Sequence, residues 1–231
     1  MIRTGSVCCV TVNFRTPDLV KTCVESWFNY YPKIPHIVVD NGGCQDSIKV
    51  LNELSNQGKI AGLVKNPENI YHGPALNQGI GFGWAMGATY AFLLDSDTRV
   101  KKGGAVENMI AAFEQDQDLF AIGWLRYVSQ AGIAYKTIYP EIYPEAAVKY
   151  IHPYACMVDI SKLALMPARY TEGGAPAIEI MKKVPDYGWT VSNFPIGEYI
   201  WHKEAGTRGL FGGQFRPETN AKIQPYKRRK L

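Results

Sequence analysis

Two carboxylates separated by one small residue, Asp95-Ser96-Asp97, follow directly on the apolar run at 90–94. Held in a tight turn, such a pair can converge on one hard cation that takes oxygen ligands, and magnesium or manganese bound there would bridge to a diphosphate. Asp and Ser also turn a chain without binding anything. The place of this pair, at the end of the most apolar strand in the sequence, favours the chemical reading. Two other strand ends carry polar groups, Asn13 near the end of the run at 7–14 and Asp40 after the run at 34–39.

These groups share a locale only if the strands that end in them are parallel neighbours, and the pattern between them predicts that arrangement. The strand at 7–14 leads into Thr16-Pro17-Asp18, which offers an N-cap hydroxyl, a proline at the first helical position and an acid in the first turn. In the helix that follows, Leu19, Val20, Cys23, Val24 and Trp27 recur at three- and four-residue spacing, so one face packs on a sheet. The alternation repeats: a strand at 34–39 closing in Asp40-Asn41-Gly42-Gly43, a helix at 47–57, a strand at 60–64, a glycine-containing helix at 74–86 and a strand at 90–94. That last strand is apolar throughout, as expected of one buried on both faces. Such alternation makes right-handed parallel crossovers, and open sheets of this kind bind ligands beyond the carboxyl ends of their strands. The second half is less regular, with helices at 104–114 and 177–184 and strands at 119–125, 154–160 and 190–194. The fold class is therefore α/β, with a mostly parallel central sheet flanked by helices.

A chain of 231 residues suits one sizeable domain. Its 46% hydrophobic and 20% charged residues exclude intrinsic disorder. Basic side chains outnumber acidic ones by 25 to 21, yet Lys222, Lys227, Arg228, Arg229 and Lys230 fall in the last ten residues, and the remainder holds 20 against 21. The body is balanced, so no nucleic-acid partner is indicated, and the excess belongs to a tail at 216–231. That tail is read as solvated, with peripheral contact to an anionic membrane as the alternative. Five cysteines (Cys8, Cys9, Cys23, Cys44, Cys156) without Cys-x-x-Cys spacing suggest neither a disulfide framework nor a zinc site. With no apolar signal core or long apolar span, a cytoplasmic setting is expected, peripheral to the membrane if the tail engages it.

Several short pieces occur in a shared order: Val12-Asn13-Phe14-Arg15-Thr16, Val38-Val39-Asp40-Asn41, Asn66-x-x-Asn69 leading to Asn77-Gln78-Gly79-Ile80, Leu93-Leu94-Asp95-Ser96-Asp97, Ala155-Cys156-Met157, and Tyr199-Ile200-Trp201-His202 ahead of Gly206-Thr207. In these the chain resembles the inverting nucleotide-sugar glycosyltransferases of the GT-A fold, family 2, over about 7–207. The resemblance implies a single Rossmann-like GT-A domain over 1–215, with a nucleotide-binding half at about 1–100 and an acceptor half at about 101–215. It implies that Asn13 and Phe14 edge or stack the nucleobase and that Asp40 accepts from a uracil-like imide N–H. Asp95, with Ser96, would hold the ribose or the metal, and Asp97 would ligate Mn2+ or Mg2+ on the diphosphate. His202 would complete the metal site, while His72 and Asn77 would lie near the donor. The implied partners are a nucleoside diphosphate sugar, UDP-linked by preference, and a saccharide or lipid-linked acceptor.

The catalytic base is where the sequence departs from that pattern. Relatives carry an acidic pair before a helix that ends in Gly-aromatic, and counting back from Gly188-Trp189 puts Ala177 at the usual base. Glu179 is the first candidate and Glu172, ahead of Gly173-Gly174, the alternative; a carboxylate there would take the proton of the attacking hydroxyl. Trp124, Tyr127, Tyr154 and Trp189 are candidates for an acceptor platform or for plain core. Two other classes stay open. A sugar-phosphate nucleotidyltransferase needs a glycine-rich basic loop after the first strand, which Asn13-Phe14-Arg15-Thr16-Pro17 does not supply. A nucleotide-sugar binding protein without turnover would account for the displaced base.

Overall fold

A computed structural model describes residues 7–129 and 147–203. Gly206-Thr207 and the basic tail at 216–231 lie outside the described residues, as does the boundary expected near 215.

One seven-stranded sheet forms the centre, in the order β3-β2-β1-β4-β7-β6-β8. Its parallel half comprises β1 (Val7–Asn13), β2 (His36–Asn41), β3 (Gly62–Asn66) and β4 (Tyr90–Leu94). Their pairings, Val12 with Val39 and Val10 with Leu93 among them, put the four carboxyl ends along one edge. Burial of β4 on both faces is borne out: Ala91 and Leu93 enter the core on one side, Phe92 and Leu94 on the other. Each buried Leu or Phe stabilises the fold by about 1.5–3 kcal/mol, which makes this strand a rigid mount for whatever follows Leu94.

The crossovers are α1 (Pro17–Tyr30), α2 (Gln45–Asn56) and α3 (His72–Ala85). Pro17 and Asp18 act as expected at the start of α1, but Thr16 does not cap it. Its hydroxyl donates instead to Asn13 Oδ1, 2.8 Å away, so a residue read as a helix signal serves the site. Helix α3 lies close on β1 because it is glycine-rich there: a Cβ at Gly79 would come within 2.3 Å of Val10 Cγ1, and one at Gly83 within 2.3 Å of Cys8 Sγ.

Beyond β4 the chain adds one short strand that the sequence did not announce and lengthens the two expected at 119–125 and 154–160. A short strand β5 (Thr98–Val100) leaves the Asp-Ser-Asp turn, and after α4 (Ala105–Gln115) come β6 (Leu119–Ser129) and a long β7 (Ala147–Asp159), antiparallel to β4 and β6. Asp159 then caps α5 (Ile160–Leu165) by accepting from the Lys162 N–H at 3.0 Å, which ends the expected strand one residue early. Helix α6 (Ile178–Lys183) and a 3-10 turn at Val184–Tyr187 precede β8 (Thr190–Asn193) on the sheet edge. Finally β9 (Ile200–His202) pairs antiparallel with β5, setting His202 opposite Thr98.

Candidate active site

The β5–β9 ladder explains how His202, more than one hundred residues along the chain, meets the acidic turn. Pairing of Thr98 with His202 and a 3.0 Å bond from the Lys203 N–H to Asp97 O lock the two segments side by side. His202 Nε2 lies 3.3 Å from Asp97 Oδ1. One ligand atom each from Asp95, Asp97 and His202 fall within 4.8 Å of one another. Cation–ligand bonds of about 2.1 Å separate opposed ligands by about twice that, so the three side chains fit one hard divalent ion with little rearrangement. Ser96, Asp97 and Thr98 are buried, and Thr98 Oγ1 donates to Asp95 O at 2.7 Å, closing the turn.

Burial raises the pKa of Asp95, with the adjacent Asp97 charge adding to the rise, while His72 and His202 oppose it. A carboxylate that is costly to ionise without a counter-charge is a group that gains from a cation. His72 approaches from the first residue of α3, its Nε2 3.5 Å from Asp95 Oδ1.

A second polar cluster is built at the tips of β1 and β2. Asn13 pairs with Asp40 in register, and its Nδ2 donates to Asp40 Oδ1 at 2.9 Å while Thr16 holds the other end of the amide. Asp40 is buried, and that burial raises its pKa against the opposing bond from Asn13 and the charge of Lys65. Its second oxygen lies against Gly43, where a Cβ would stand 1.8 Å from Oδ2. Gly43→Ala should therefore displace the carboxylate and weaken nucleoside diphosphate binding by roughly tenfold, one good hydrogen bond to a charged group; calorimetry on the variant checks this. Phe14 follows, with the Arg15 guanidinium 5.2 Å from its ring centre.

Asn77 is anchored rather than displayed. Its amide donates to Tyr170 O at 2.8 Å and accepts from the Tyr170 N–H at 3.1 Å, tying α3 to the segment before α6.

On the far side of His202 opens a cavity of about 690 Å³, lined by Trp124, Tyr127, Tyr154, Phe194 and Trp201 among others. Three of the four aromatics read as an acceptor platform meet there. Trp189 does not: it stacks on Tyr187 and Phe120 beneath α6. Tyr154 lies flat on the His202 ring, with centroids 4.6 Å apart and planes 16° apart. Sequence reasoning missed His152, whose ring packs edge-on to Tyr150 and Tyr154 and whose Nδ1 accepts from the Tyr154 N–H at 3.3 Å. Burial pushes its pKa down to about 3, so it is neutral. The spacing of two among Tyr150, His152 and Tyr154 was the available signal, although a register break in β7 puts Tyr150 and Tyr154 in the cores on opposite sides of the sheet.

The two base candidates differ sharply. Residues two apart on a helix point about 200° apart, and Ala177, at the start of α6, is buried, so Glu179 projects outwards. It is exposed and its Oε1 accepts from Lys182 Nζ at 2.8 Å. Glu172 instead adjoins Thr171, whose backbone packs on Gly73 so tightly that a Cβ there would lie 2.0 Å from Thr171 O. Gly73 is the neighbour of His72, so the backbone just before Glu172 packs beside the start of α3, and Glu172 itself is exposed.

A mostly parallel seven-stranded sheet flanked by helices, with polar groups at the carboxyl ends of its strands, is a fold of the GT-A type. The sequence matches the model for glycosyl transferase family 2 over residues 6–172, and the chain belongs to that family. No curated protein matches it in sequence. Among solved structures it is similar to the mannosyltransferase PcManGT from Pyrobaculum calidifontis in complex with GDP-Man and Mn2+, at TM-score 0.62 and 14% identity, covering 82% of this chain and 55% of that one. It is also similar to S. aureus TarS 1-349, at TM-score 0.61 and 11% identity over 87% of this chain and 61% of that one. The same TarS fragment in complex with UDP matches at TM-score 0.58 and 12% identity, over 84% of this chain and 59% of that one. The chain thus spans somewhat over half the length of these neighbours. Among the described residues no helix is long and apolar enough to cross a membrane.

Proposed function

We propose that this protein is an inverting glycosyltransferase that moves a sugar from a nucleoside diphosphate sugar to an acceptor hydroxyl. The observation that carries the reading is the Asp95, Asp97 and His202 cluster at the carboxyl end of β4, with the buried Asn13 and Asp40 at the neighbouring strand ends and an aromatic cavity beyond His202. Manganese suits a mixed donor set of two carboxylates and an imidazole, with magnesium as the alternative. Bound there, the ion would supply Lewis-acid stabilisation of the departing diphosphate.

The chain's own groups do the rest. Asp40 accepts the imide N–H that uracil and guanine share, and adenine and cytosine lack. One Asp40 oxygen is already engaged by Asn13, which matches the single imide donor of uracil better than the paired donors of guanine; UDP-sugars are preferred on that ground. His72 borders the phosphates beside Asp95. Trp124, Tyr127 and Tyr154 offer ring faces to a saccharide or lipid-linked acceptor, and Glu172 takes the proton of its hydroxyl. Incubating the chain with UDP- and GDP-sugars and Mn2+ and following nucleotide release tests the reading; release of neither nucleotide with any acceptor sinks it. The buried Ala177 at the base register favours one other reading, a binder that holds donor without turnover, which would protect the sugar nucleotide instead.

The raised pKa of Asp95 gives a pH test. A buried carboxyl whose folded pKa lies above its unfolded value stabilises the fold while protonated and loses that contribution as pH rises through the folded pKa. A cation displaces the proton and offsets the cost. The rise in melting temperature on adding Mn2+ should therefore grow as pH climbs through the folded pKa of Asp95; a rise that stays constant down to the onset of acid unfolding contradicts a site that includes Asp95.

A further inference from the structure

Among the described residues only two that are not glycine hold a positive φ, Arg15 at 54° and Tyr71 at 70°. Arg15 lies beside the turn after Asp40, and Tyr71 immediately precedes His72. Arg15 Nε donates to Gly42 O at 3.4 Å, at the turn that follows Asp40. Tyr71 is the more extreme: with ψ at 164° it occupies a region of backbone space that is essentially reserved for glycine.

The surroundings over-determine that geometry. The Tyr71 N–H donates to Asn69 Oδ1 at 2.9 Å, and the same oxygen accepts from Asn41 Nδ2 at 2.8 Å. Asn41 Oδ1 in turn accepts from the Ile70 N–H at 3.0 Å and from Asn66 Nδ2 at 3.3 Å. Gly42, at φ 80°, lets the Asn69 backbone approach to where a Cβ would be 2.5 Å from its nitrogen. On the other side, the Tyr71 carbonyl accepts the first helical bond of α3, from the Ala75 N–H at 3.2 Å. Loop, turn and helix thus fix the backbone as a glycine would want it, yet the residue there is a large aromatic.

Such a mismatch persists where the side chain returns something for its cost. At positive φ a side chain leaves the backbone where an ordinary extended residue carries only its α-hydrogen, so the position reaches a side of the loop no neighbouring residue serves. Tyr71 is 43% exposed, and the next residue, His72, sets its imidazole 3.5 Å from Asp95. We propose that Tyr71 is a donor-binding residue that contacts the diphosphate across the crevice from Asp95, its phenol O–H donating to a phosphate oxygen. The proposal rests on the nucleotide-sugar reading given above.

The test uses Tyr71→Gly, Tyr71→Ala and Tyr71→Phe in the full chain, with melting temperature and calorimetry against UDP, UMP, GDP and GMP in Mn2+. At an ordinary position glycine is less stable than alanine. Here Tyr71→Gly should melt several degrees above Tyr71→Ala, because alanine keeps the strained backbone and glycine relieves it. All three variants should bind the diphosphates roughly tenfold more weakly than the parent, one hydrogen bond to a charged group, with the monophosphates little changed. Parental UDP and GDP affinity in Tyr71→Gly and Tyr71→Phe overturns the proposal. Equal losses for mono- and diphosphates overturn it in favour of a nucleobase contact. If the parent protein itself binds none of the four nucleotides, the donor reading falls and this contact falls with it.

Discussion

Replacing Asp97 by Ala should abolish metal-dependent binding of nucleoside diphosphates while leaving the fold intact. Asp97 is buried, yet no buried apolar cluster includes it, and its side chain faces His202 Nε2 at 3.3 Å. The backbone bonds that shape the turn, Thr98 N–H to Asp95 O and Lys203 N–H to Asp97 O, do not involve the Asp97 carboxylate and survive the change. What is lost is one of two anionic ligands. The remaining Asp95 and His202 cannot neutralise a divalent ion, so affinity in Mn2+ should fall by roughly 10²-fold or more, at the upper end of what metal sites lose when their shells are disturbed. Asp97→Asn, which keeps the shape, should behave the same way, and His202→Ala should lose less because it removes a neutral ligand. Calorimetry with UDP at fixed Mn2+, repeated in chelator, measures the difference. Parental manganese-dependent affinity in Asp97→Ala would show that the cluster is an ordinary turn.

The parallel half of this fold was legible because its determinants are local. Alternation of apolar runs with three- and four-residue spacing specifies strands and helices, and handedness then forces Asn13, Asp40 and Asp95 to one edge. Boundaries moved by one or two residues, as they did for β2 and β3, because end residues such as Asn41 and Asn66 are polar groups engaged by the next loop. The second half was less legible because its determinants are distant. Nothing around Thr98 announces a strand; it becomes one by pairing with a segment more than one hundred residues later, and that pairing delivers His202. The same holds for Thr16, whose local signal as a helix cap yields to a tertiary bond with Asn13. Tyr71 lies beyond any local rule, since its backbone is set by the asparagines at 41, 66 and 69 and not by its own preference.

Glu172→Gln should lower the rate of sugar transfer by about 10²–10⁴-fold, the usual worth of general base catalysis, with donor affinity near the parental value. The expectation turns on which carboxylate can reach an acceptor hydroxyl. Ala177, where the family resemblance would put the base, is buried and has no proton acceptor in its side chain. Glu179 lies two residues further along α6, turned away from that buried face and paired with Lys182. Glu172 is exposed and follows Thr171, whose backbone abuts Gly73, the residue after His72, which in turn stands 3.5 Å from Asp95. Glu179→Gln is the matched control: it removes one exposed i,i+3 ion pair, worth a few tenths of a kcal/mol at most, and should transfer at the parental rate. Single-turnover transfer with saturating donor reads the chemical step apart from binding. A dead Glu179→Gln beside an active Glu172→Gln would require α6 to rotate on substrate binding and would return the base to the helix. Full activity in both would mean that the acceptor arrives already ionised or that the proton leaves by another group, and the assignment of a carboxylate base would fail.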